Sequence, residues 1–382
     1  MSTRRTNLRL SVSADTTLTV SSEERLFLIR SSETHNAIVQ ALRSRPRLAR
    51  SCVPETIEMS GWTKTKTYES HHFDSEAWSV VKPRPDDIII ATAYKSGTTW
   101  MQQIIAQLIF DGAPPAAVGD LSPWVDLRVP PRPVKEQILE GLTNRRFLKT
   151  HLPTSALEYS ESARYVYVAR DGRDAFVSLM NHYKNGNEMW YGALNGEGLV
   201  GDPLPTWEEA TAGEEGDDAI RAIFDKWLNT PWGTHAAWEE DGWPFWSLFT
   251  NAKTWWEARH LPNVLLVHFG DLKRDLKGEM RRIAEFIGAP VDEAKFDAQV
   301  RACTFEAMKG NAAAVAPLGG AMWKGGAETF INKGTNGRWK DVLTKAQVEA
   351  YEKAAKERLG EECAEWLALG GDAREGGERV AS

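Results

Sequence analysis

Short apolar runs, polar loops and stretches of helical spacing alternate along the chain from residue 62 onward. Residues 87–93 are a β-branched run of the kind found in buried parallel strands, and apolar residues recur at the spacing of one helix face between 101 and 109. Further strand-like runs occupy 146–150, 165–169 and 264–269, and helix patterns follow the last two. This alternation predicts an α/β fold: a single domain with a central open parallel sheet flanked by helices, and ligands at the carboxyl ends of the strands.

Residues 1–58 differ in amino-acid composition from the rest of the chain. They contain nine Arg but no Lys, Gly, Trp or Tyr, and few large apolar side chains. We therefore predict a disordered extension, because too little apolar surface is available to offset the entropy of ordering. The alternative is that the apolar stretch 26–29 folds over the domain as a lid.

The folded domain is predicted to span 60–370. Segment 185–245 within it has no strand signal and is rich in Gly, Trp and acidic residues, so we interpret it as an insertion or lid. The Gly- and Glu-rich end, 371–382, is predicted to fray.

Composition and charge exclude several classes of protein. The 382 residues carry 46 basic and 53 acidic side chains, a net charge of −7, which argues against non-specific coating of nucleic acid or anionic membrane. The three cysteines are far apart, so neither a disulfide framework nor a cysteine-built zinc site is expected. No apolar run approaches the roughly 20 residues that span a bilayer.

The loop after the first strand has the features of a phosphate-binding loop. Gly97 lets the backbone approach an anion, and the free N–H groups of the following helix point toward it. Lys95 adds a positive charge, and Ser96, Thr98 and Thr99 add hydroxyl donors. The pattern is not a Walker A loop, because the lysine precedes the glycine.

Four blocks in order resemble the cytosolic-type sulfotransferases, which use 3′-phosphoadenosine 5′-phosphosulfate (PAPS), and a bacterial-like member of them in particular. Residues 94–100, YKSGTTW, look like the family's 5′-phosphosulfate loop, YPKSGTTW, without its proline. Residues 146–153 resemble the block that holds the catalytic base, and 165–178 resemble the 3′-phosphate site. Residues 330–340 are similar to the C-terminal FxRKGxxGDWK segment, so the resemblance covers roughly 60–370.

The resemblance implies three catalytic residues. His151 is the expected general base for the acceptor proton, a task suited to a side chain that titrates near neutral pH. Lys95 is expected to neutralise the bridging oxygen as the S–O bond breaks, and Lys149 to assist at the sulfuryl group. The leaving group is a phosphate, so no metal is expected.

The resemblance also implies which residues hold the rest of the nucleotide. The loop residues Lys95 to Thr99 bind the 5′-phosphosulfate. The adenine site is assigned to Trp100, Phe269, Thr304 and Phe305. Phe269 stands where the family has a tyrosine, so one hydroxyl contact is missing.

The 3′-phosphate site is assigned to Arg170, Ser178, Lys333 and Gly334. The guanidinium of an arginine can donate two parallel N–H hydrogen bonds to a phosphate, and a serine donates one from its hydroxyl. Two departures affect the C-terminal segment: Asn332 replaces the first basic residue of RKG, and Arg338 replaces the acidic residue before the tryptophan. The family's dimer segment is also imperfect here, so either a monomer or a homodimer is expected.

We predict a cytoplasmic enzyme that transfers a sulfuryl group from PAPS to a hydroxyl, or an amine, of a small-molecule or lipid acceptor. The acceptor side is placed at the insertion, where nine of the 16 tryptophans lie between Trp190 and Trp256. Two alternatives remain at this stage: a nucleotide kinase-like phosphate-transfer enzyme, and a non-catalytic relative that binds adenosine bisphosphate.

Overall fold

A four-stranded parallel sheet is the centre of the fold, in a computed structural model that describes residues 61–373. The strands are β1 (Ile88–Thr92), β2 (Phe147–Thr150), β3 (Arg164–Ala169) and β4 (Val264–His268). They are ordered β2-β1-β3-β4, and all three pairings are parallel. The predicted sheet is therefore confirmed, whereas the predicted extension 1–58 and tail residues 374–382 lie outside the described residues.

Helices cover both faces of the sheet. They are α1 (Thr98–Ile109), α2 (Val118–Leu121), α3 (Arg132–Gly141), α4 (Gly172–Lys184), α5 (Glu188–Asn195), α6 (Trp207–Thr211), α7 (Gly216–Asn229), α8 (Leu248–Glu257), α9 (Phe269–Arg274), α10 (Leu276–Ile287), α11 (Glu293–Ala302), α12 (Phe305–Gly310), α13 (Ala312–Val315), α14 (Gly326–Phe330), α15 (Lys345–Leu359) and α16 (Glu361–Leu369). None of the helices in this part of the chain is long and apolar enough to cross a membrane.

Two hydrophobic cores lie on opposite sides of the sheet. Because successive side chains of a strand point to opposite faces, Ile88 and Ile90 belong to one core and Ile89 to the other. The first core contains the apolar faces of α1 and α10, and the second contains those of α4, α7 and α8. Burial of both faces of the sheet explains why each strand is a continuous apolar run in the sequence.

The segment 185–245 folds as helices α5 to α7 with long connections, and it contains no strand. Nine tryptophans lie between Trp190 and Trp256, and Trp238 is 46% exposed. Six of the nine are buried: Trp190, Trp207, Trp227, Trp232, Trp246 and Trp255. Most of the tryptophans therefore pack the interior. The interpretation of this segment as a lid stays a prediction.

The order of the strands determines where a ligand can bind. The chain runs from β1 outward to β2 and then crosses to β3 on the other side of β1. In open α/β sheets the crevice at such a reversal, at the carboxyl ends of the strands, is where ligands bind. The loops after β1, β2 and β3, which carry the predicted site residues, meet at that edge.

Candidate active site

The loop between β1 and α1 has two residues in the left-handed region of backbone conformation. Lys95 has φ 54° and Gly97 has φ 107°. A Cβ at Gly97 would lie 3.0 Å from Cδ2 of Phe269, so both the backbone angle and the close approach favour glycine. Helix α1 begins at Thr98 directly after this glycine, with no side-chain cap, and its first N–H groups are therefore available to an anion.

The hydroxyls of this loop have different partners. Ser96 Oγ donates to the carbonyl of Tyr94 at 3.2 Å. Thr98 Oγ1 is 2.7 Å from Thr92 Oγ1, inside the fold. Thr99 is half-buried and its hydroxyl has no partner within residues 61–373. Of the three predicted hydroxyl donors, Thr99 is thus the one not already engaged.

His151 lies directly after β2, is 5% exposed, and has its tautomer set by β1. Its Nδ1 is 2.9 Å from the carbonyl oxygen of Thr92, which can only accept, so Nδ1 carries the proton and Nε2 keeps a lone pair. Asp126 accepts from the backbone N–H of His151 at 3.1 Å. Burial, aided by Lys149, holds the pKa of His151 well below its usual value, so the ring is neutral at pH 7.

The two predicted catalytic lysines lie in a region of positive charge. Burial, together with repulsion from Lys149 and Arg170, lowers the pKa of Lys95 to about 7. Burial lowers the pKa of Lys149 to about 8, although Asp126 opposes the shift. Lys95 Nζ lies 4.7 Å from the ring centre of Phe330, and Lys149 Nζ lies 4.3 Å from that of Trp124. Ammonium groups held against aromatic faces rather than carboxylates are suited to an anionic ligand.

Arg170 follows β3 and points into the same edge of the sheet. Its guanidinium donates to the carbonyl of Thr335 at 2.8 Å, to Oδ1 of Asn336 at 3.2 Å and to the carbonyl of Lys95 at 3.2 Å. Burial lowers its pKa to about 10. Arg170 therefore connects the loop between β1 and α1 to the C-terminal segment while remaining a buried cation. Ser178, two turns into α4, is half-buried, and its hydroxyl has no partner in the described residues.

Aromatic side chains gather at the predicted adenine site. The rings of Trp100 and Phe269 meet edge to face, 5.2 Å apart, and Trp100 Nε1 donates to the carbonyl of Cys303 at 2.7 Å. The next residue, Thr304, caps helix α12, and its hydroxyl accepts from Ala307 N at 3.3 Å. The Thr304 hydroxyl is thus engaged in capping, whereas the indole of Trp100 is fixed at its edge and half-exposed.

The C-terminal segment approaches this group through Gly334. A Cβ there would lie 2.5 Å from Cδ2 of Phe305, and Gly334 has φ 61°, so this position too favours glycine. Lys333 is exposed and makes no ion pair within residues 61–373. Asp174 accepts from the backbone N–H groups of Gly337 at 2.7 Å and of Arg338 at 3.0 Å, which holds the segment against α4. The charge of Arg338 contributes to the lowered pKa of Arg170, so this arginine faces the same region.

Aromatic rings pack against one another beside His151, Lys95 and Lys149. We call them the aromatic wall: Trp124, His182, Trp190, Trp246, Trp323 and Phe330. The His151 ring is 4.6 Å from Trp124 and 5.5 Å from Trp246. His182 Nδ1 is 3.4 Å from Lys95 Nζ, and its ring contacts Trp190 at 5.6 Å. Only part of the wall comes from the Trp-rich insertion.

Sequence reasoning missed several residues of the site. Thr92 sets the tautomer of His151, Trp124 contacts Lys149, and Asp126 holds His151, yet no motif marks any of them. Asn336 lies within the C-terminal block 330–340, but the resemblance implies no role for it, although it accepts a hydrogen bond from Arg170. The adjacent histidines His71 and His72 are visible in the sequence well before β1, but no motif assigns them a role. Among residues 61–373 there is no cluster of His, Cys, Asp or Glu that could hold a metal.

Comparisons with known proteins identify the family of the chain. A family model described as "Sulfotransferase domain" matches residues 85–362. The chain is 32% identical over 301 residues to a glycolipid sulfotransferase of Mycobacterium bovis (strain BCG / Pasteur 1173P2), covering 76% of this chain and 90% of the relative. It is 28% identical over 316 residues to human sulfotransferase 1C2, covering 80% of this chain and 89% of the relative.

Solved structures share the fold. Mouse sulfotransferase SULT7A1 complexed with PAP matches with a TM-score of 0.56 and 20% identity, over 77% of this chain and 92% of the other. Retinol dehydratase in a complex with retinol and PAP matches with a TM-score of 0.54 and 23% identity, over 74% of this chain and 84% of the other. The family match spans most of the chain and includes all four blocks. The chain therefore belongs to the sulfotransferase family, and it is a PAPS-dependent sulfotransferase, as its sequence predicts.

Proposed function

We propose that this sulfotransferase transfers the sulfuryl group of PAPS to a hydroxyl of a small-molecule or lipid acceptor, with His151 as general base. The observation that carries the proposal is the hydrogen bond from His151 Nδ1 to the carbonyl of Thr92, at 2.9 Å. It leaves the Nε2 lone pair as the proton acceptor, at the carboxyl ends of the strands and beside both lysines.

The proposed reaction is one displacement at sulfur. The acceptor hydroxyl gives its proton to His151 Nε2 as its oxygen forms the new bond to sulfur, and the bond from sulfur to the bridging oxygen breaks. The electron pair of that bond stays on the 5′-phosphate of the product, PAP. Lys95 stabilises this charge, and Lys149 stabilises the sulfuryl oxygens.

The remaining site residues hold the nucleotide. Ser96, Gly97, Thr98 and Thr99 surround the 5′ end through the N-terminus of α1. Arg170, Ser178, Lys333 and Gly334 bind the 3′-phosphate, and a doubly charged phosphate suits the buried guanidinium of Arg170. Trp100, Phe269, Thr304 and Phe305 enclose the adenine.

The acceptor binds along the aromatic wall. Its indole rings offer apolar faces next to His151 and Lys149, an environment that suits a phenol, an alcohol or the head of a lipid. The mycobacterial relative is named a glycolipid sulfotransferase, which is consistent with a lipid-linked hydroxyl. Cytoplasmic location and a monomeric or homodimeric state stay predictions.

An acceptor screen with labelled PAPS tests the base. We expect His151→Ala to lower kcat at least about 10²-fold on every accepted hydroxyl while PAP still binds. His260→Ala is the matched control, because His260 is an exposed histidine outside the site. Near-normal turnover by His151→Ala contradicts the role of base.

A further inference from the structure

Two adjacent histidines, His71 and His72, are buried, and the His72 ring packs against Trp124, Trp190 and Trp246 of the aromatic wall. His71 is 3% exposed and His72 is 5% exposed. Their Nδ1 atoms are 2.6 Å apart, and His71 Nε2 is 2.8 Å from the carbonyl oxygen of Pro244. Both rings are thus held in fixed orientations by hydrogen bonds.

These contacts determine which nitrogen atoms carry protons. The Pro244 carbonyl can only accept, so His71 Nε2 carries a proton, and in the neutral pair His71 Nδ1 has a lone pair. The proton between the two rings then belongs to His72 Nδ1, which leaves a lone pair on His72 Nε2. Burial holds the pKa of His72 well below its usual value, in agreement with a neutral ring.

His72 faces the same indoles as His151. Its ring centre is 6.2 Å from Trp124 and 5.4 Å from Trp246, and both indoles also contact His151. Trp124 Nε1 donates to Asp126 at 2.7 Å. Trp246 Nε1, in contrast, is buried and has no hydrogen-bond partner within the described chain. His72, with an accepting nitrogen, and Trp246, with an unused donor, therefore pack against each other in the group of rings that also contacts His151.

A buried donor without a partner costs free energy, and a bound ligand can supply the partner. A hydroxyl group matches this pair, because it donates and accepts at once. An ether or a carbonyl oxygen could accept from Trp246 but could not donate to His72. An ammonium group would be repelled by Lys95 and Lys149, two of the basic side chains near His151.

We propose that His72 Nε2 and Trp246 Nε1 form a subsite for a second hydroxyl, and that the acceptor is a vicinal diol, such as a catechol or a sugar ring. The inference rests on the proposed function, in which the acceptor lies along the aromatic wall with one hydroxyl at His151. It narrows the acceptor class from any hydroxyl compound to one with a neighbouring hydroxyl that is not sulfated.

Matched acceptors test the subsite with the full-length enzyme and PAPS. The probes are catechol against phenol, and trans-1,2-cyclohexanediol against cyclohexanol, each compared by kcat/KM. We expect the wild type to prefer each diol by about tenfold, since a site that hydrogen-bonds a hydroxyl discriminates against the analogue that lacks it. Guaiacol, whose methoxy oxygen accepts but cannot donate, should lose most of this preference.

Variants assign the preference to the two residues. His72→Phe removes the accepting nitrogen, and Trp246→Phe removes the unpartnered donor, so each should reduce the diol preference by several-fold. Trp232→Phe is the matched control, a buried tryptophan stacked on Tyr68 at 5.6 Å, and should keep the preference. If His72→Phe does not fold, Trp246→Phe alone decides.

The outcomes separate this inference from the proposed function. Wild-type transfer to phenol and cyclohexanol, with a diol preference no larger than the number of hydroxyls explains, overturns the second-hydroxyl subsite and leaves the proposed function intact. A preference that survives in both folded variants also overturns it. Transfer to another hydroxyl acceptor of the screen, with no transfer to catechol or to trans-1,2-cyclohexanediol, also overturns the subsite and leaves the proposed function intact.

Discussion

The lowered pKa values of the two active-site lysines predict that PAP binding takes up protons. In the free protein the pKa of Lys95 is lowered to about 7 and that of Lys149 to about 8, in both cases mainly by burial. The phosphates of PAP bring negative charge to these ammonium groups and favour their charged forms. A lysine whose pKa is low in the free protein and restored in the complex must gain a proton on binding, so affinity falls as pH rises through the free pKa.

The magnitude follows from these two values. At pH 8 about 0.9 of Lys95 and about 0.5 of Lys149 are neutral in the free protein, so binding should take up about 1.4 protons if both are fully charged in the complex. The same titrations make Kd rise about tenfold between pH 7 and pH 8. This range lies above the second ionisation of a phosphate, near pH 6, so the ligand itself contributes little.

Isothermal titration calorimetry of PAP in two buffers of different ionisation enthalpy, such as HEPES and Tris at pH 8, measures the uptake directly. Lys95→Arg is the informative variant, because guanidinium stays charged at this pH and the uptake should fall to about 0.5 proton. A wild-type enzyme that binds PAP with no proton uptake at pH 8 and a pH-independent Kd would refute the reasoning.

Two further predictions concern the 3′-phosphate site and the ion pair between Asp87 and Arg146, which directly precede β1 and β2. Arg170→Ala and Ser178→Ala should each reduce the preference for PAP over AMP in calorimetry, Arg170→Ala more, because it removes a charged donor; equal wild-type affinity for both nucleotides would argue against this site. Asp87→Asn should lower the free energy of unfolding by about 3–5 kcal/mol in urea, because it breaks a buried ion pair with Arg146, whose Nε donates to Oδ1 at 2.8 Å. A fall in the free energy of unfolding as small as that for breaking a surface ion pair, below about 1 kcal/mol, would contradict this prediction.

The predicted 3′-phosphate site shows what the spacing of motifs can predict and what it cannot. The order of the blocks placed Arg170 after one strand and Lys95 after another, and the parallel sheet brings both to one edge. The bond between the Arg170 guanidinium and the carbonyl of Lys95, at 3.2 Å, is a consequence of backbone path that no residue pattern encodes. Asn336, 166 positions further along, joins the same guanidinium for the same reason.

The sequence alone determined the elements and the chemical groups. Apolar runs buried on both faces produce strands, and helical spacing produces the helices that cover them, so all four strands and the helices after β1, β3 and β4 could be predicted. Local order also determined the predicted phosphate-binding loop, because a strand, a glycine that can adopt a positive φ and the start of a helix follow one another along the chain. The family resemblance added His151, Lys149 and the nucleotide residues.

Only the tertiary structure decided which side chains face each other. The tautomer of His151 depends on a carbonyl 59 residues away, and Lys95 meets His182 87 residues away. The same holds for His72 and Trp246, whose rings come together across the fold at 5.4 Å. Proton positions, lowered lysine pKa values and unused donors arise from burial and from these long-range contacts, and both exist only after packing has excluded water from the site.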